Sequence, residues 1–169
     1  MTNQDRLSAL EGRVRALEAR LEHADEEAAV PTGPGREVLW ALDGLHARVD
    51  DPGAVMLVGS VRLPDGRHAE WQQGAGTDEL VGGDWTASSD ALAALGHPLR
   101  LRLLQQVLAG VDTVHELTQI DGVGTSGQVY HHLRQLSSTG WLHALGGGRY
   151  EVPVARVVPL LVLVLGAGR

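Results

Sequence analysis

The chain has 169 residues, of which 43% are hydrophobic, and a formal net charge of −7 at pH 7. This length allows one ordinary domain or two small ones, with enough apolar residues for a core. The absence of cysteine excludes disulfides, thiol redox chemistry and thiolate metal ligands, and it fits a reducing cytoplasm. No basic segment followed by an apolar core opens the chain, and the apolar run at 157–165 is shorter than the roughly 18 to 20 residues of a membrane-spanning helix. We therefore expect a soluble, cytoplasmic protein with no membrane partner.

A heptad pattern predicts a coiled-coil helix over residues 1–30. Its apolar residues are spaced alternately by three and four: Leu7, Leu10, Val14, Leu17 and Leu21. Arg at the g positions and Glu at the following e positions have opposite signs, which favours a parallel homodimer in register. Three heptads are marginal alone, so we expect this coil to reinforce a dimer formed elsewhere. The alternative is an amphipathic helix folded onto its own domain.

A cluster of Pro and Gly at 31–35 marks a boundary, and residues 35–85 are predicted to form a small α/β unit. Its elements are a helix over 38–49, a strand over 54–63, a turn at 64–67 and a returning strand over 68–72. Three tryptophans fall in it, either lining a ligand pocket or, as we prefer, forming its core: Trp40, Trp71 and Trp85. The unit is the candidate site for a small-molecule or protein effector.

Residues 88–169 show a different organisation, which begins with short helices. A helix containing Leu92 ends at Gly96, and Pro98 begins the next helix at its first position. Thr113 and Glu116 form a predicted capping box for a short helix. Beyond the turn at 121–124, Val129, Leu133 and Leu136 recur at i, i+4 and i+7, which predicts an amphipathic helix of about sixteen residues. Thr125 or Ser126 is its expected N-cap.

Two strand-like runs, 141–145 and 149–152, follow this helix and are joined by three glycines. Glycine adopts positive φ without steric cost, so this segment is predicted to be a hairpin. The order of short helix, Gly turn, helix and hairpin is that of a winged helix-turn-helix. The predicted fold class is therefore α+β. The last segment is apolar all round, and we expect it to form a dimer interface, with Pro159 starting or kinking its helix.

Four strings carry a resemblance to the ArsR-like (arsenic-repressor-like) winged-helix family of transcription regulators: ALGHPLRLRLL, TVHELTQ, QVYHHLRQLSSTGWL and RYEV. The resemblance covers roughly the last 80 residues. It implies a homodimer that places its second motif helix in the major groove of double-stranded DNA and its hairpin, the wing, near the minor groove. The residues implied to contact DNA are Thr125, Ser126, Gly127, Gln128, Tyr130, His131, Arg134 and Arg149. Among them, Gln128 suits bidentate pairing with adenine and Arg134 suits guanine or phosphate. For the dimer, the candidate residues are the heptad seam together with Val157, Leu160, Leu161 and Val164.

The metal-sensing members of that family use paired cysteines or Asp and His sets on the C-terminal helix, and this chain has neither. We therefore predict no metal site and no cofactor. Net charge is −3 over 1–30, −5 over 31–89 and +1 over 90–169, so the DNA-binding segment is nearly neutral although phosphate neutralisation supplies much of DNA affinity. Dimerisation would double its few cations, and four arginines gathered on one face would help: Arg100, Arg102, Arg134 and Arg149.

The sequence thus predicts a dimeric DNA-binding transcriptional regulator that recognises an inverted-repeat operator and does not sense metals. The alternative is an adaptor that uses its winged helix as a protein-interaction surface. We expect no enzyme and assign no catalytic residue. His68 and Glu70 merely alternate along one strand side, and no nucleophile–base pair stands in a recognisable context.

Overall fold

The structure is a computed structural model that describes Val14 and residues 39–168. The chain divides into two units, residues 1–49 and residues 50–169. In the first unit, helix α1 (Trp40–His46) is shorter than the helix predicted over 38–49. Val14 is half exposed, and the other residues of the predicted coiled-coil seam, Leu7, Leu10, Leu17 and Leu21, lie outside the described residues.

The second unit alternates helices with two hairpins. Its elements in chain order are β1 (Ala54–Arg62), β2 (His68–Gly76), α2 (Thr77–Gly82), a 3-10 turn (Trp85–Ser88), α3 (Ser89–Leu95), α4 (Pro98–Leu108), α5 (Val114–Thr118), α6 (Ser126–Ser138), β3 (His143–Gly146), β4 (Arg149–Glu151) and α7 (Val154–Ala167). Over the described residues the chain is therefore a mixed α/β protein with seven helices and two small antiparallel sheets. That mixture of helix and strand is as predicted, whereas the winged-helix assignment stays a prediction. None of the helices described here is long and apolar enough to cross a membrane.

The first hairpin pairs β1 with β2 in unbroken register, from Ala54 opposite Gly76 to Arg62 opposite His68. Its turn at 64–67 lies where it was predicted, with Gly66 at φ +85°, a conformation that side chains disfavour. The strand β2 extends four residues beyond the predicted end. Arg67 ties the turn to the second hairpin, because its Nη1 donates to Glu151 Oε2 at 2.6 Å and to the Val152 carbonyl at 3.3 Å.

Helix α7 packs against this first hairpin. A Cβ on Gly59 would lie 2.7 Å from Val158 Cγ1, so helix and strand approach as closely as a glycine allows. A two-stranded sheet buries too little apolar surface to be stable alone, and α7 supplies the missing cover. The first hairpin belongs with residues 50–169, while α1 groups with residues 1–49. The predicted domain bounds stay a prediction.

One hydrophobic core joins the helices of the second unit to the first hairpin. Its fully buried members come from several elements and include Ala69, Leu103, Leu117, Val129, Leu133, Leu136, Val152 and Val157. The predicted apolar face of α6 is confirmed, since Val129, Leu133 and Leu136 are all 0% exposed. This core fixes one face of α6 and leaves its opposite face to solvent.

The tryptophans do not form the core that we predicted. Trp40 is 70%, Trp71 37% and Trp85 72% exposed, so that prediction is wrong. Only Trp141, which follows α6, is buried among the four, and its Nε1 donates to the Ala91 carbonyl at 2.9 Å. The guanidinium of Arg156 lies 5.0 Å from its ring centroid, a cation–π distance.

Candidate nucleic-acid interface

The start of α6 is fixed by a reciprocal capping box. Thr125, and not Ser126, is the N-cap: its Oγ1 accepts from Gln128 N at 3.4 Å, while its own backbone N donates to Gln128 Oε1 at 2.8 Å. Gly124 precedes it at φ +83°, and a Cβ there would collide with the Gln128 side chain. The turn and the cap therefore set where this helix begins.

One face of α6 is exposed along its first three turns. Its residues are Ser126, Gly127, Tyr130, His131 and Arg134. Tyr130 is 50% exposed, and Arg134 has no acidic partner within the described part of the chain. Hydroxyl, phenol, imidazole and guanidinium groups thus lie on a rigid helix surface, where they can donate hydrogen bonds to an acceptor-rich ligand.

Gln128 takes part in the cap as well as in the exposed surface of α6. Its Oε1 accepts from Thr125 N at 2.8 Å, and this bond orients the side chain. The residue is exposed, its oxygen keeps a second lone pair and its NH2 group keeps its donors. The predicted pairing of Gln128 with adenine stays a prediction.

The second hairpin follows α6 and ends in a glycine tip. Gly146, Gly147 and Gly148 have φ values of +86°, +61° and +76°, which is the left-handed region that glycine tolerates. The pairing of β3 with β4 shifts register between Ala144 and Gly146. The predicted hairpin is confirmed, although β3 begins two residues later and ends one residue later than predicted, and β4 ends one residue earlier. Trp141 and Leu142 are buried ahead of β3 and not part of it.

Two backbone hydrogen bonds tie this hairpin to the start of α5. Val114 N donates to the Gly148 carbonyl at 2.9 Å and Tyr150 N donates to the Asp112 carbonyl at 2.8 Å, which together form a bridge between Thr113 and Arg149. Thr113 also caps α5 through Glu116 N, as predicted. The hairpin is therefore held in a set orientation to α5, and α5 packs against α6.

Arg149 is not a free cation on this hairpin. Its Nη2 and Nε lie 2.7 and 3.2 Å from Asp112 Oδ2. The hydrogen bond from Arg149 to that carboxylate raises the pKa of the guanidinium above its usual value. The side chain remains 58% exposed, so it can still reach a ligand, but Asp112 offsets much of its charge.

The four arginines considered from the sequence do not share one exposed face. Arg100 is half-buried between helices, where it donates to Gln135 Oε1 and to the Ala93 carbonyl at 2.9 Å. It joins α3 to α6 and has no surface role. Arg102, Arg134 and Arg149 are exposed, and of these only Arg149 has an acidic partner among the described residues.

Other polar clusters have no catalytic or metal-binding geometry. Ser60 Oγ lies 3.0 Å from His68 Nε2 and 3.3 Å from Glu70 Oε1 on the exposed face of the first hairpin. Glu70 Oε1 lies 3.6 Å from that same ring nitrogen, whereas the acid of a Ser-His-Asp triad orients the imidazole from the other nitrogen. Across the residues that the structure describes, no group of three or more His, Asp or Glu could hold a metal ion.

The predicted dimerisation residues of the C-terminal segment divide between core and surface. Val157 and Leu160 are 0% and 2% exposed and pack inside their own chain, whereas Leu161 and Val164 are 37% and 51% exposed. The exposed pair lines an apolar groove of about 690 Å³ between α4 and α7, together with Leu101 and Leu108. Only the outer side of α7 can therefore meet a partner.

A scan against protein-family models, a search of curated proteins and a search of solved structures each find no match to this chain. The candidate interface thus rests on its own geometry. Two residues that affect this interface were not identified from the sequence. They are Asp112, which pairs with Arg149, and Gln128 in its capping role. The S/T-x-x-Q spacing from Thr125 to Gln128 did signal the cap, but nothing in the sequence signals that Asp112 faces Arg149, because the contact depends on how the hairpin folds back.

Proposed function

We propose that this protein is a winged helix-turn-helix regulator that binds double-stranded DNA. The observation that carries the proposal is α6, which buries Val129, Leu133 and Leu136 completely while its opposite face exposes only polar groups and glycine. A helix of this kind, held by a short preceding helix and a glycine turn, suits insertion into a major groove about 12 Å wide. Tyr130, His131 and Arg134 are the groups that would reach base edges and phosphates.

The second hairpin supports the same proposal as the wing. Its glycine tip joins β3 to β4, and the side of the hairpin from Gly148 to Tyr150 is bonded to the residues at the start of α5. Such an anchor would let the tip follow the DNA backbone while α6 occupies the groove. Leu145 at this tip is 48% exposed, and glycine backbone N–H groups can donate to phosphate oxygens.

The number of unpaired cations limits the DNA affinity that we expect. Arg134 and Arg102 are exposed and have no acidic partner among the described residues, whereas Arg149 shares its charge with Asp112. Few phosphates are therefore neutralised per subunit, and each such contact contributes a log–log salt slope of about −0.9. We expect weak non-specific binding, so that specific binding needs two subunits.

A second copy of the chain is the partner that we propose for the groove between α4 and α7. Its walls are Leu101, Leu161 and Val164, which a single chain leaves exposed. A twofold dimer would bury these side chains and place two α6 helices on one side, which suits an inverted repeat with half-sites one helical turn apart.

The DNA proposal is tested by selecting bound fragments from genomic DNA with the full-length protein and measuring affinity for the recovered sequence. The combined variant Tyr130→Ala, His131→Ala and Arg134→Ala should lose at least about tenfold in affinity, since one good base contact is worth ~1–3 kcal/mol. A matched triple change on the first hairpin, Arg62→Ala, His68→Ala and Glu70→Ala, should leave the affinity unchanged. Equal binding by both variants would contradict the proposal, and a protein-interaction surface would become the better account of α6.

The dimer is tested by light scattering on Leu161→Glu with Val164→Glu. A buried unpaired carboxylate is costly, so this pair should convert a dimer to monomers without unfolding the chain. Val81→Glu, at a position 70% exposed on α2, is the control. A monomeric mass for the unmodified protein at micromolar concentration would overturn the assignment.

A further inference from the structure

A cavity of about 410 Å³ lies beside the exposed face of α6, between the start of α4 and the turn that precedes α6. Three of its lining side chains can carry positive charge: His97, Arg102 and His132. Pro98, Leu99 and Val123 give it an apolar wall, and no carboxylate is among its lining residues. Cationic and apolar groups thus meet in this cavity.

The polar groups of this cavity are hydrogen-bond donors with little to bond to. His97 Nδ1 accepts from Leu99 N at 3.1 Å, which leaves Nε2 as the nitrogen that carries the proton and donates. His132 Nδ1 is buried and has no hydrogen-bond partner within the described residues, and the two rings lie 4.6 Å apart between centroids. An unpaired buried polar atom is destabilising, so the surroundings of His132 are not fully satisfied in the empty cavity.

Arg102 adds a permanent charge at the mouth of the cavity. Its Nη1 lies 3.4 Å from the position a Cβ would occupy on Gly122, so the guanidinium rests on the turn at 121–124. It has no ion pair within the part of the chain that the structure describes. A planar guanidinium of this kind binds carboxylate or phosphate in two-pronged fashion.

We propose that the His97–Arg102–His132 cavity binds a small organic anion, with a carboxylate or phosphate head on the Arg102 guanidinium and the two imidazoles and a compact apolar part against Pro98, Leu99 and Val123. Gly124 and Gln128 also line the cavity, and both belong to the turn and cap that begin α6. An occupant would therefore contact the residues that set the position of α6. This site is not in the 35–85 region, where the sequence predicted an effector.

Binding should couple to protonation of His132. Burial lowers the pKa of this imidazole, with further lowering by His97, His131 and Arg100, so the empty site favours the neutral ring at neutral pH. An anion favours the charged ring. Ligand binding should then take up a proton, and the affinity should rise as pH falls from 8 towards 6.

The test uses the full-length protein without DNA, so its failure is separate from failure of the DNA proposal. Benzoate and inorganic phosphate serve as probes in a calorimetric titration, with histidine side-chain NMR signals recorded in parallel. We expect saturable binding of at least one probe that shifts the His97 and His132 signals and weakens about tenfold in Arg102→Gln, the worth of one charged hydrogen bond. Arg62→Gln, an exposed arginine on β1, is the matched control and should bind like the unmodified protein.

His132→Gln separates the roles within the cavity. It keeps a polar side chain but cannot carry a charge, so it should bind the probe more weakly and lose the rise in affinity at low pH. The proposal would be overturned if neither probe saturates by tens of millimolar, if the shifted signals belong to other histidines, or if Arg62→Gln weakens binding as much as Arg102→Gln.

Discussion

The two hairpins share an antiparallel design but differ in what covers them. In the first, strands of nine residues each lie under α7, and Ala69 and Val158 are buried at 0% and 2% exposure. In the second, β3 is exposed at every residue and the strands have four and three residues. The first hairpin is stabilised through its face and the second through backbone bonds from Gly148 and Tyr150 to the segment around Thr113. This difference leaves the second hairpin free to meet a ligand, while the first supports the core.

The largest effect is expected from Gly59→Ala, which tests the packing of the first hairpin. The added Cβ would lie 2.7 Å from Val158 Cγ1, and overpacking of this kind costs about 1–3 kcal/mol of unfolding free energy. Urea unfolding measures it. Gly76→Ala, where nothing lies within 4 Å, should be nearly neutral.

A double-mutant cycle with Val158→Ala sharpens this prediction. Trimming Val158 makes room for the new methyl group, so Gly59→Ala should cost less in that background than in the unmodified protein. Additive changes in unfolding free energy would show that Gly59 and Val158 are not in the close contact described.

The same substitution at the tip of the second hairpin should act through the backbone alone. Gly147 has φ +61° and open space around its Cβ position, so Gly147→Ala should destabilise by about 1 kcal/mol, the cost of a left-handed conformation. At Gly127, inside α6, the change to Ala should instead stabilise by about 0.5–1 kcal/mol. We expect the two variants to shift the thermal unfolding temperature in opposite directions. A loss of stability in both variants would contradict the helix assignment of Gly127.

Acid should destabilise the second unit through His132. Because burial lowers the pKa of this imidazole in the folded chain, the unfolded chain binds the proton first, near pH 6.5. The stability is therefore present above that pH and is lost as pH falls towards the lowered folded value. His132→Gln should unfold with a weaker dependence on pH between 7 and 5. If the stability of His132→Gln depends on pH as strongly as that of the unmodified protein, other groups cause the dependence.

A smaller effect is expected from removing the acidic partner of Arg149 on the second hairpin. Asp112→Asn removes the charge beside Arg149 but keeps the backbone carbonyl that accepts from Tyr150 N. Affinity for all DNA sequences should rise, and the log–log salt slope should steepen by about 1. Asp78→Asn on α2 removes the same net charge and should leave the slope unchanged. If both variants behave alike, Arg149 does not contact phosphate.

Local features of this chain could be predicted from sequence because local interactions decide them. Thr113 and Thr125 cap their helices, Pro98 begins α4 and Gly66 sits in the first turn, each for a reason contained within a few residues. The periodicity that placed Val129, Leu133 and Leu136 in the core has the same local origin.

Features that depend on distant contacts could not be predicted. Val157 and Leu160 read as interface residues, yet they are buried inside their own chain. Trp85 read as a core residue, but its Nε1 bonds to the Leu80 carbonyl at 2.6 Å while the ring stays exposed. The apolar character of these residues is clear from the sequence. Whether another surface covers them depends on packing between segments far apart in sequence.

DNA binding by α6 and the second hairpin, and not by the first hairpin, is tested most directly by an NMR titration of the full-length protein. The titrant is a duplex recovered by selection from genomic DNA, and the backbone amides are followed. We expect shifts concentrated at Ser126, Tyr130, Arg134 and residues 146–149, with β1 and β2 unaffected. Shifts concentrated on β1 and β2, or no saturable shift at low salt, would contradict the proposal.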